Sequence, residues 1–527
     1  MSVQALPSVE PPGILDRRRI IAGPGYNRWL VPPAALAIHL SIGQAYAFSV
    51  FNRPLEHLLG GDAPSPEDWK PIEISLVFSI AIVVLGLSAA LFGRWLEVAG
   101  PRKGMLVAAF CFGGGLLVSA TAVRIHQIWL LYLGYGILGG IGLGIGYISP
   151  VSTLIKWFPD RPGMATGLAI MGFGGGAMIG SPLATFLMNQ FGSHGSAGGG
   201  VAETFAVMGL IYLVFMLFGA ATVRLPAPDW RPAGYTSKTR TGTWGMTATE
   251  AITTRQFWLL WAVLFLNVSA GIAVLKQASP MIQDTFPGLV SVAAAGGFVG
   301  LLSLFNMAGR FGWSSLSDVI GRKVTYAIFF SLGGVLYALT PETGRAGSVI
   351  LFVLAYGLIL TMYGGGFATI PAYLRDIFGV REVGAIHGRL LTAWSAAGIV
   401  GPTLITVLGE GQPADSGTGA GKYSTTMYVL AGLLVIGFVC NLLVRRIPGV
   451  STELQHPSPE ETVKKEGGKQ SVVGPPVSVN GTPTLSPRVE EPVIPLGLDL
   501  ALRWLWVGIP LVWGVSQTVE ASLALFR

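Results

Sequence analysis

Long apolar stretches alternate with short polar segments along most of the chain. Nearly all of them reach the roughly 20 residues that cross a hydrocarbon core of about 30 Å at about 1.5 Å per helical residue. The pattern predicts an all-α polytopic membrane protein. Twelve spans are predicted at 29–51, 72–95, 104–124, 128–155, 163–190, 203–223, 257–280, 291–317, 324–340, 348–372, 384–409 and 425–444, with a thirteenth at 501–525.

The composition excludes a water-soluble globular enzyme. Hydrophobic residues make up 51% of the chain and charged residues only 12%, and 73 of its 527 residues are glycine; soluble domains contain about 25% charged residues and about 7% glycine. The two cysteines, Cys111 and Cys440, lie inside apolar stretches, so neither a disulfide framework nor a metal-ligand spacing is present. We therefore expect no enzyme, no metal and no cofactor.

The basic residues predict the orientation. They are concentrated in alternate loops, which favours a cytoplasmic N-terminus. The net charge of +7 is explained by this topology, and no nucleic-acid partner is expected. Residues 1–28 carry a basic run but lack the short apolar stretch of a cleaved signal peptide.

The longest polar break within the twelve spans divides them into six and six. A later stretch, rich in Pro, Ser, Gly, Val, Glu and Lys, cannot bury enough apolar surface to fold alone. The predicted division is a cytoplasmic segment at 1–28, a six-helix half at 29–223, a cytoplasmic loop at 224–256, a second half at 257–446, a disordered linker at 447–496 and an additional transmembrane helix at 497–527.

An internal repeat supports the two halves. Glu97 and Asp318 follow spans 2 and 8 in similar basic motifs and are 221 positions apart, and Pro150 and Pro371 share the same offset. Parallel six-helix repeats occur in transporters that place substrate at the membrane midplane between the halves.

The loop Gly93-Arg-Trp-Leu-Glu97-Val-Ala-Gly100-Pro-Arg102-Lys103 resembles the signature between spans 2 and 3 of the major facilitator superfamily. The resemblance implies two pseudo-symmetric six-helix halves with alternating access. It also implies a gating motif at the cytoplasmic surface, although a plain topogenic charge cluster is the alternative. The motif residues are Gly93, Glu97, Gly100, Arg102 and Lys103, and in the second copy Asp318, Gly321, Arg322 and Lys323.

A narrower resemblance lies in Lys156-Trp-Phe-Pro-Asp160-Arg-Pro-Gly163, Gln277-Ala-Ser-Pro-Met-Ile-Gln283 and Phe305-Asn306-Met-Ala-Gly309-Arg310. These segments are similar to the oxalate/formate antiporter family of bacterial carboxylate exchangers, over essentially all twelve spans. The resemblance implies a small carboxylate substrate such as oxalate, formate or a monocarboxylate, and the bacterial inner membrane as the location.

Arg310 is the most informative residue. It lies eight residues before Asp318, about 12 Å from the end of its helix and so near the midplane. A charge there is costly and normally faces a cavity and a partner, yet no acidic residue lies in the middle of any of the twelve spans. We expect the partner to be a substrate carboxylate, which suits the planar guanidinium; a structural role through helix carbonyls is the alternative.

The resemblance also implies the rest of the pocket. The family's oxalate transporter has a second cation, a lysine on span 11, where this chain has Trp394; strict oxalate specificity is therefore in doubt, and a monocarboxylate fits one arginine better. Lys276 is a possible second cation, although it is expected to extend to the outer interface. The other expected pocket residues are Gln44, Tyr46, Tyr147, Phe173, Tyr363 and Phe367.

The sequence is also consistent with two functions other than carboxylate exchange. A proton-coupled monocarboxylate symporter would use His39 or His387 as proton sites, although each is also typical of a structural hydrogen-bonding residue. A membrane-embedded carboxylate sensor is the second. The expected partners are a small carboxylate anion and membrane lipid, and the default expectation for the oligomeric state is a monomer.

Overall fold

The computed structural model describes residues 13, 15–59, 65–192, 200–228, 230–232, 245–409, 419–448 and 497–525. Most of the predicted linker at 447–496, part of the loop at 224–256 and the first residues of the N-terminal segment lie outside the described residues. Helices occur at all thirteen predicted positions. They are α1 (Arg28–Glu56), α2 (Pro71–Ala99), α3 (Pro101–Arg124), α4 (Ile128–Trp157), α5 (Pro162–Gly192), α6 (Val201–Thr222), α7 (Arg255–Thr285), α8 (Val292–Ile320), α9 (Arg322–Arg345), α10 (Val349–Phe378), α11 (Val383–Leu390 and Thr392–Gly409), α12 (Ser424–Leu443) and α13 (Leu498–Ser522).

Eleven of these helices are long and apolar enough, by length and composition, to cross a membrane. The other two are α8 and α11. The first carries Arg310 and several small polar residues, and the second is interrupted at Leu391. Helix α1 also changes character, from an α-helix at Pro32–Ile42 to a 3₁₀-helix at Gly43–Phe51.

The two groups of six helices pack in the same way. In the first group α3 packs against α6, where Gly113 lies against Leu213. In the second group α9 packs against α12, where Gly437 lies against Phe330. These helices occupy equivalent places in the two halves, as a parallel repeat requires.

Both copies of the repeated motif turn the chain at a glycine. Gly100 joins α2 to α3 with φ +85°, and Gly321 joins α8 to α9 with φ +88°. Residues with a Cβ rarely adopt this region, so glycine is needed at both junctions. The membrane end that contains both motifs is called the motif end below, and the other is called the opposite end.

Among the helix pairs that join the halves, two are equivalent in the repeat. Helix α2 lies against α11, where Gly388 contacts the backbone of Ala89, and α5 lies against α8, where Gly167 contacts the backbone of Arg310. Gly167 and Gly388 are 221 positions apart, so the repeat places a glycine at the same point of each pair. These close approaches bring α8 and its arginine to the seam between the halves.

Candidate functional site

Arg310 is buried at the seam between the halves. Its side chain is 0% exposed, and its Nε donates to Oδ1 of Asn306, one helical turn earlier, at 3.0 Å. Neither Nη1 nor Nη2 has a hydrogen-bond partner among the described residues. The guanidinium is therefore fixed on one edge and left with unused donors on the other.

Aromatic rings enclose the guanidinium from both halves. Its Cζ lies 5.6 Å from the ring centroid of Phe173 and 5.0 Å from that of Phe367. Trp394 contacts both rings, with centroid distances of 5.3 Å to Phe173 and 4.5 Å to Phe367. Tyr147 lies 5.4 Å from Phe173 and 5.4 Å from Trp394. We call these four rings the aromatic cage.

Two tyrosines connect the halves beside the cage. The hydroxyls of Tyr46 in α1 and Tyr363 in α10 are 3.0 Å apart and hydrogen-bonded. Tyr46 also contacts Phe173 at 5.0 Å, and Tyr363 contacts Phe367 at 5.3 Å. Both residues lie in the middle of their helices, so this bond crosses the seam at the level of the cage.

The cage holds unpaired donors besides those of Arg310. Within the described part of the chain, Nε1 of Trp394 and the hydroxyl of Tyr147 have no hydrogen-bond partner. Both side chains are 0% exposed. An anion with additional acceptor oxygens would satisfy these groups together with the guanidinium.

Gln44 is not brought to the cage. Its Oε1 accepts from the hydroxyl of Tyr135 at 3.4 Å, and its Cγ lies close to Gly180. Two residues later in α1, the ring of Tyr46 contacts Phe173. The side chain of Lys276 lies outside the described residues.

The two histidines flank Tyr147. His39 is hydrogen-bonded through Nε2 to the carbonyl of Tyr147 at 3.2 Å. His387 lies 5.9 Å from the Tyr147 ring, is 1% exposed, and has no partner for either ring nitrogen among the described residues. His39 therefore has a structural bond, whereas His387 has none within the described part of the chain.

At the motif end, acidic side chains of one half contact helix beginnings of the other. Asp318 accepts from the backbone N–H groups of Gly163 and Met164 at 2.8 Å each, at the start of α5. Glu97 is bonded to Lys156 at 3.0 Å and lies against Gly384 at the start of α11. A carboxylate at a helix N-terminus is stabilised by the exposed N–H groups and the helix dipole.

Basic motif residues bind at equivalent helix ends. Arg102 donates to the carbonyl of Ala220 at 3.2 Å, near the end of α6, and Lys323 donates to the carbonyl of Leu442 at 2.7 Å, near the end of α12. Arg322 contacts both Asp318 and Asp376. Gly93 lies against Ala385 of α11. The first contacts lie within one half, and the contact of Gly93 with Ala385 joins the two halves.

Asn306 is the site residue whose role the sequence left unassigned. It belongs to the segment that carries the family resemblance, and its spacing of four from Arg310 could have indicated a bond along one helix face. No group of His, Cys, Asp and Glu side chains suited to a metal ion occurs in the described ranges.

A sequence profile of the Major Facilitator Superfamily matches residues 25–362 and 278–526 of this chain. The chain belongs to the Major Facilitator Superfamily. Its relatives in this superfamily are transporters and not enzymes, and this chain is likewise a multi-pass membrane transporter and not an enzyme.

Two relatives within the superfamily match most of the chain. The oxalate:formate antiporter of Oxalobacter formigenes is 26% identical over 378 residues, which is 71% of this chain and 83% of the relative. Monocarboxylate transporter 11 of Homo sapiens is 26% identical over 446 residues, which is 81% of this chain and 85% of the relative.

A solved structure shares the fold. The E. coli fucose:proton symporter, FucP, superposes with a TM-score of 0.59 at 14% identity, covering 80% of this chain and 100% of that one. The all-α fold with two six-helix halves, predicted from the sequence, is confirmed.

Proposed function

We propose that this transporter exchanges small organic carboxylate anions by alternating access around Arg310. The observation that carries the proposal is a fully buried guanidinium with two amino groups that have no partner among the described residues. An unpaired buried charge costs several kcal/mol, and contact with an aromatic face offsets about 0.5–2 kcal/mol of this. A carboxylate that forms two parallel hydrogen bonds with the guanidinium would remove the remaining cost.

The cage favours a monocarboxylate. Trp394 takes the place where the family's oxalate transporter has its second cation, and its ring lies 4.5 Å from Phe367. A second carboxylate would lie against rings and lose its hydration without an ionic partner. The similarity to a monocarboxylate transporter and to an oxalate:formate antiporter supports the wider class of carboxylates.

The motif end is proposed to face the cytoplasm of a bacterial cell. Basic residues are concentrated in the loops at this end, including Arg102, Lys156 and Arg322, and such loops remain on the cytoplasmic side. The bonds of Asp318 to Gly163 and Met164 across the seam, together with the packing of Glu97 against Gly384, then form a cytoplasmic gate that opens when the halves rock.

The opposite side of the cage has a smaller closure. The bond between Tyr46 and Tyr363 joins the halves through two hydroxyls, and such a bond contributes only about 0.5–1.5 kcal/mol. Opening it requires small side-chain movements, whereas opening the motif end breaks the two bonds of Asp318 to backbone N–H groups and the ion pair of Arg94 with Glu382 at 3.9 Å. We propose that the tyrosine pair admits substrate from the outside.

The charge of the Arg310 guanidinium favours exchange as the mode of transport. An empty carrier must carry an unneutralised guanidinium through the rocking movement, which is unfavourable in a low-dielectric interior. A bound carboxylate neutralises the guanidinium and makes the movement easier. No aspartate or glutamate lies in the middle of the twelve spans to neutralise Arg310 or carry a proton.

Counterflow in proteoliposomes tests the proposal. Liposomes preloaded with formate, oxalate or a larger monocarboxylate should take up the labelled anion faster than empty ones. Arg310→Gln should abolish this acceleration, whereas Arg345→Gln, at an exposed arginine bonded to Glu342, should retain it. Equal acceleration by the two variants would refute the assignment, and a lack of acceleration for every carboxylate would favour a sensor.

One observation favours proton coupling as a second candidate. His387 is buried beside Tyr147, and neither ring nitrogen has a partner within the described ranges. Uptake driven by a pH gradient alone, and lost in His387→Gln but not in His39→Gln, would establish symport. Uptake that depends only on internal carboxylate would establish exchange.

A further inference from the structure

Helix α13 contacts the first half at the motif end. Arg503 donates to the carbonyl of Thr222 at the end of α6, at 3.4 Å, and Trp504 donates through Nε1 to the carbonyl of Trp29 at the start of α1, at 3.2 Å. The Trp506 ring lies 5.0 Å from Phe215 and 5.1 Å from Phe218. These contacts anchor the first third of α13 on α1 and α6.

The middle of α13 crosses the seam. Leu511 lies beside Gly175 of α5, and Gly514 packs on α5 so closely that a Cβ there would lie 2.8 Å from Cγ1 of Ile179. Gly175 also contacts Met307 of α8. Helix α13 therefore covers the seam at the level where α5 and α8 meet near Arg310.

The last third of α13 contacts the second half at the opposite end. Ser522 donates to the carbonyl of Gly297 at 3.0 Å, and Thr518 lies against Gly300. A Cβ on Gly297 would overlap the carbonyl of Ala521. Helices in membranes associate through such small residues, because these let the backbones approach. Helix α13 thus runs diagonally from the first half to the second.

The other face of α13 has no partner in the described chain. Leu502, Ile509 and Val512 are 56%, 65% and 70% exposed, as expected for side chains that face lipid. One face of α13 packs on the seam between the halves. The other face is exposed and does not contact the aromatic cage. The helix is thus placed to affect the relative position of the halves.

We propose that α13 is an intramolecular brace that binds both halves and stabilises the arrangement in which the motif end is closed. Its two anchors lie on different halves and at different ends of the membrane. Rocking displaces those anchors relative to each other, and a helix of 25 residues, about 37 Å long, cannot stretch to follow. At least one anchor must therefore slide or detach when the motif end opens.

The inference goes beyond the proposed function, because it requires the halves to move but does not require Arg310 to bind a carboxylate. A readout without substrate can therefore test it. Adjacent glycines provide a matched pair of variants: Gly297 contacts Ala521, whereas an added Cβ at Gly296 meets nothing within 4 Å. Gly297→Leu displaces the end of α13, and Gly296→Leu adds the same side chain without touching it.

The experiment measures distances between spin labels at Asn189→Cys and Leu289→Cys, in the full chain in liposomes, with Cys111 and Cys440 replaced by serine. Both labelled positions are exposed at the opposite end, one on each half. We expect Gly297→Leu to raise the fraction of short distances at least twofold over Gly296→Leu, because a weakened brace lets the opposite end close.

Identical distance distributions for the two variants would overturn the brace. A second pair decides if Gly297→Leu fails to fold: Gly514→Leu displaces the middle of α13 from Ile179, whereas Gly508→Leu meets nothing within 4 Å. The same twofold difference is expected, and equal distributions again contradict the proposal. A change in distances with carboxylate exchange retained would support the brace independently of the transport site.

Discussion

Two buried arginines in neighbouring regions have opposite surroundings. Arg310 in the middle of α8 is 0% exposed, and Arg322 at the motif end is 7% exposed. Arg322 contacts the carboxylates of Asp318 and Asp376 and the hydroxyl of Ser317. Arg310 has one amide oxygen and aromatic faces. Among the described residues, two carboxylates contact Arg322 at the motif end, and none contacts Arg310 in the cage.

The difference indicates that the anionic partner of Arg310 comes from outside the protein. Breaking a buried ion pair by removing one partner costs about 3–5 kcal/mol, so an arginine held without a partner is unfavourable unless one arrives. The amide of Asn306 positions the guanidinium but leaves its charge. An external carboxylate at Arg310 would then do what Asp318 does for Arg322.

The largest expected effect comes from giving Arg310 an internal partner. Asn306→Asp places a carboxylate one turn away and makes Arg310 resemble Arg322. We expect carboxylate affinity to fall on the order of 100-fold or more, since about 3 kcal/mol of ion pairing would have to be broken. Isothermal titration calorimetry measures the carboxylate affinity.

Asn306→Ala is the matched control for that substitution. It removes one charge-assisted hydrogen bond of about 1.5 kcal/mol, equivalent to about a tenfold loss. If the aspartate variant bound carboxylate as well as the alanine variant, neutralisation of Arg310 would not be what binding requires.

Removing a carboxylate from Arg322 tests the other region. Asp318→Asn should destabilise the closed motif end by about 2 kcal/mol, or about 30-fold in the equilibrium between the two states, because it weakens the charged acceptor for the N–H groups of Gly163 and Met164 across the seam. Spin labels at Val98→Cys and Arg381→Cys should move apart. Glu342→Gln, in an exposed pair worth about 0–1 kcal/mol, should leave that distance unchanged; the same change in both variants would contradict the gate.

A second cation in the cage should change the preferred substrate. Trp394→Lys restores the charge that the family's oxalate transporter has, and we expect the preference for oxalate over formate to rise about tenfold, which is about 1.4 kcal/mol. Competition between oxalate and formate in the counterflow assay measures this preference. Trp129→Lys, at a tryptophan that is 59% exposed, is the control, and an equal rise there would remove the argument for a monocarboxylate.

The smallest effect is expected at the tyrosine pair. Tyr363→Phe removes the bond to Tyr46, worth about 0.5–1 kcal/mol, and should alter the exchange rate only about two- to fivefold. Stopped-flow uptake measures it. A loss as large as that of Asn306→Asp would mean that the hydroxyl binds substrate directly.

The sequence predicted those features of the fold and of the Arg310 site that depend on a single helix. Span positions follow from apolar length, and the depth of Arg310 follows from counting eight residues to Asp318. Six expected aromatic positions, Tyr46, Tyr147, Phe173, Tyr363, Phe367 and Trp394, meet around or beside the guanidinium in the structure.

The remaining parts depend on how helices approach one another. Gln44 points to Tyr135 and not to the cage, because the 3₁₀ segment of α1 changes the angular spacing of its side chains. The docking of α13 depends on glycines such as Gly297, whose partner lies 225 residues away at Ser522. Neither spacing nor hydropathy in one helix contains that information.

The most direct test is a thermal-unfolding comparison of the unsubstituted protein and Arg310→Gln, each with and without small carboxylates. A ligand that binds only the folded state stabilises it by about 2.7 kcal/mol at 100 times its Kd. We expect this stabilisation for the unsubstituted protein and none for Arg310→Gln. We also expect the variant alone to unfold at the same or a higher temperature, because a buried unpaired charge has been removed. Retained stabilisation by carboxylate in Arg310→Gln, or a variant that unfolds several degrees lower without ligand, would contradict the proposal.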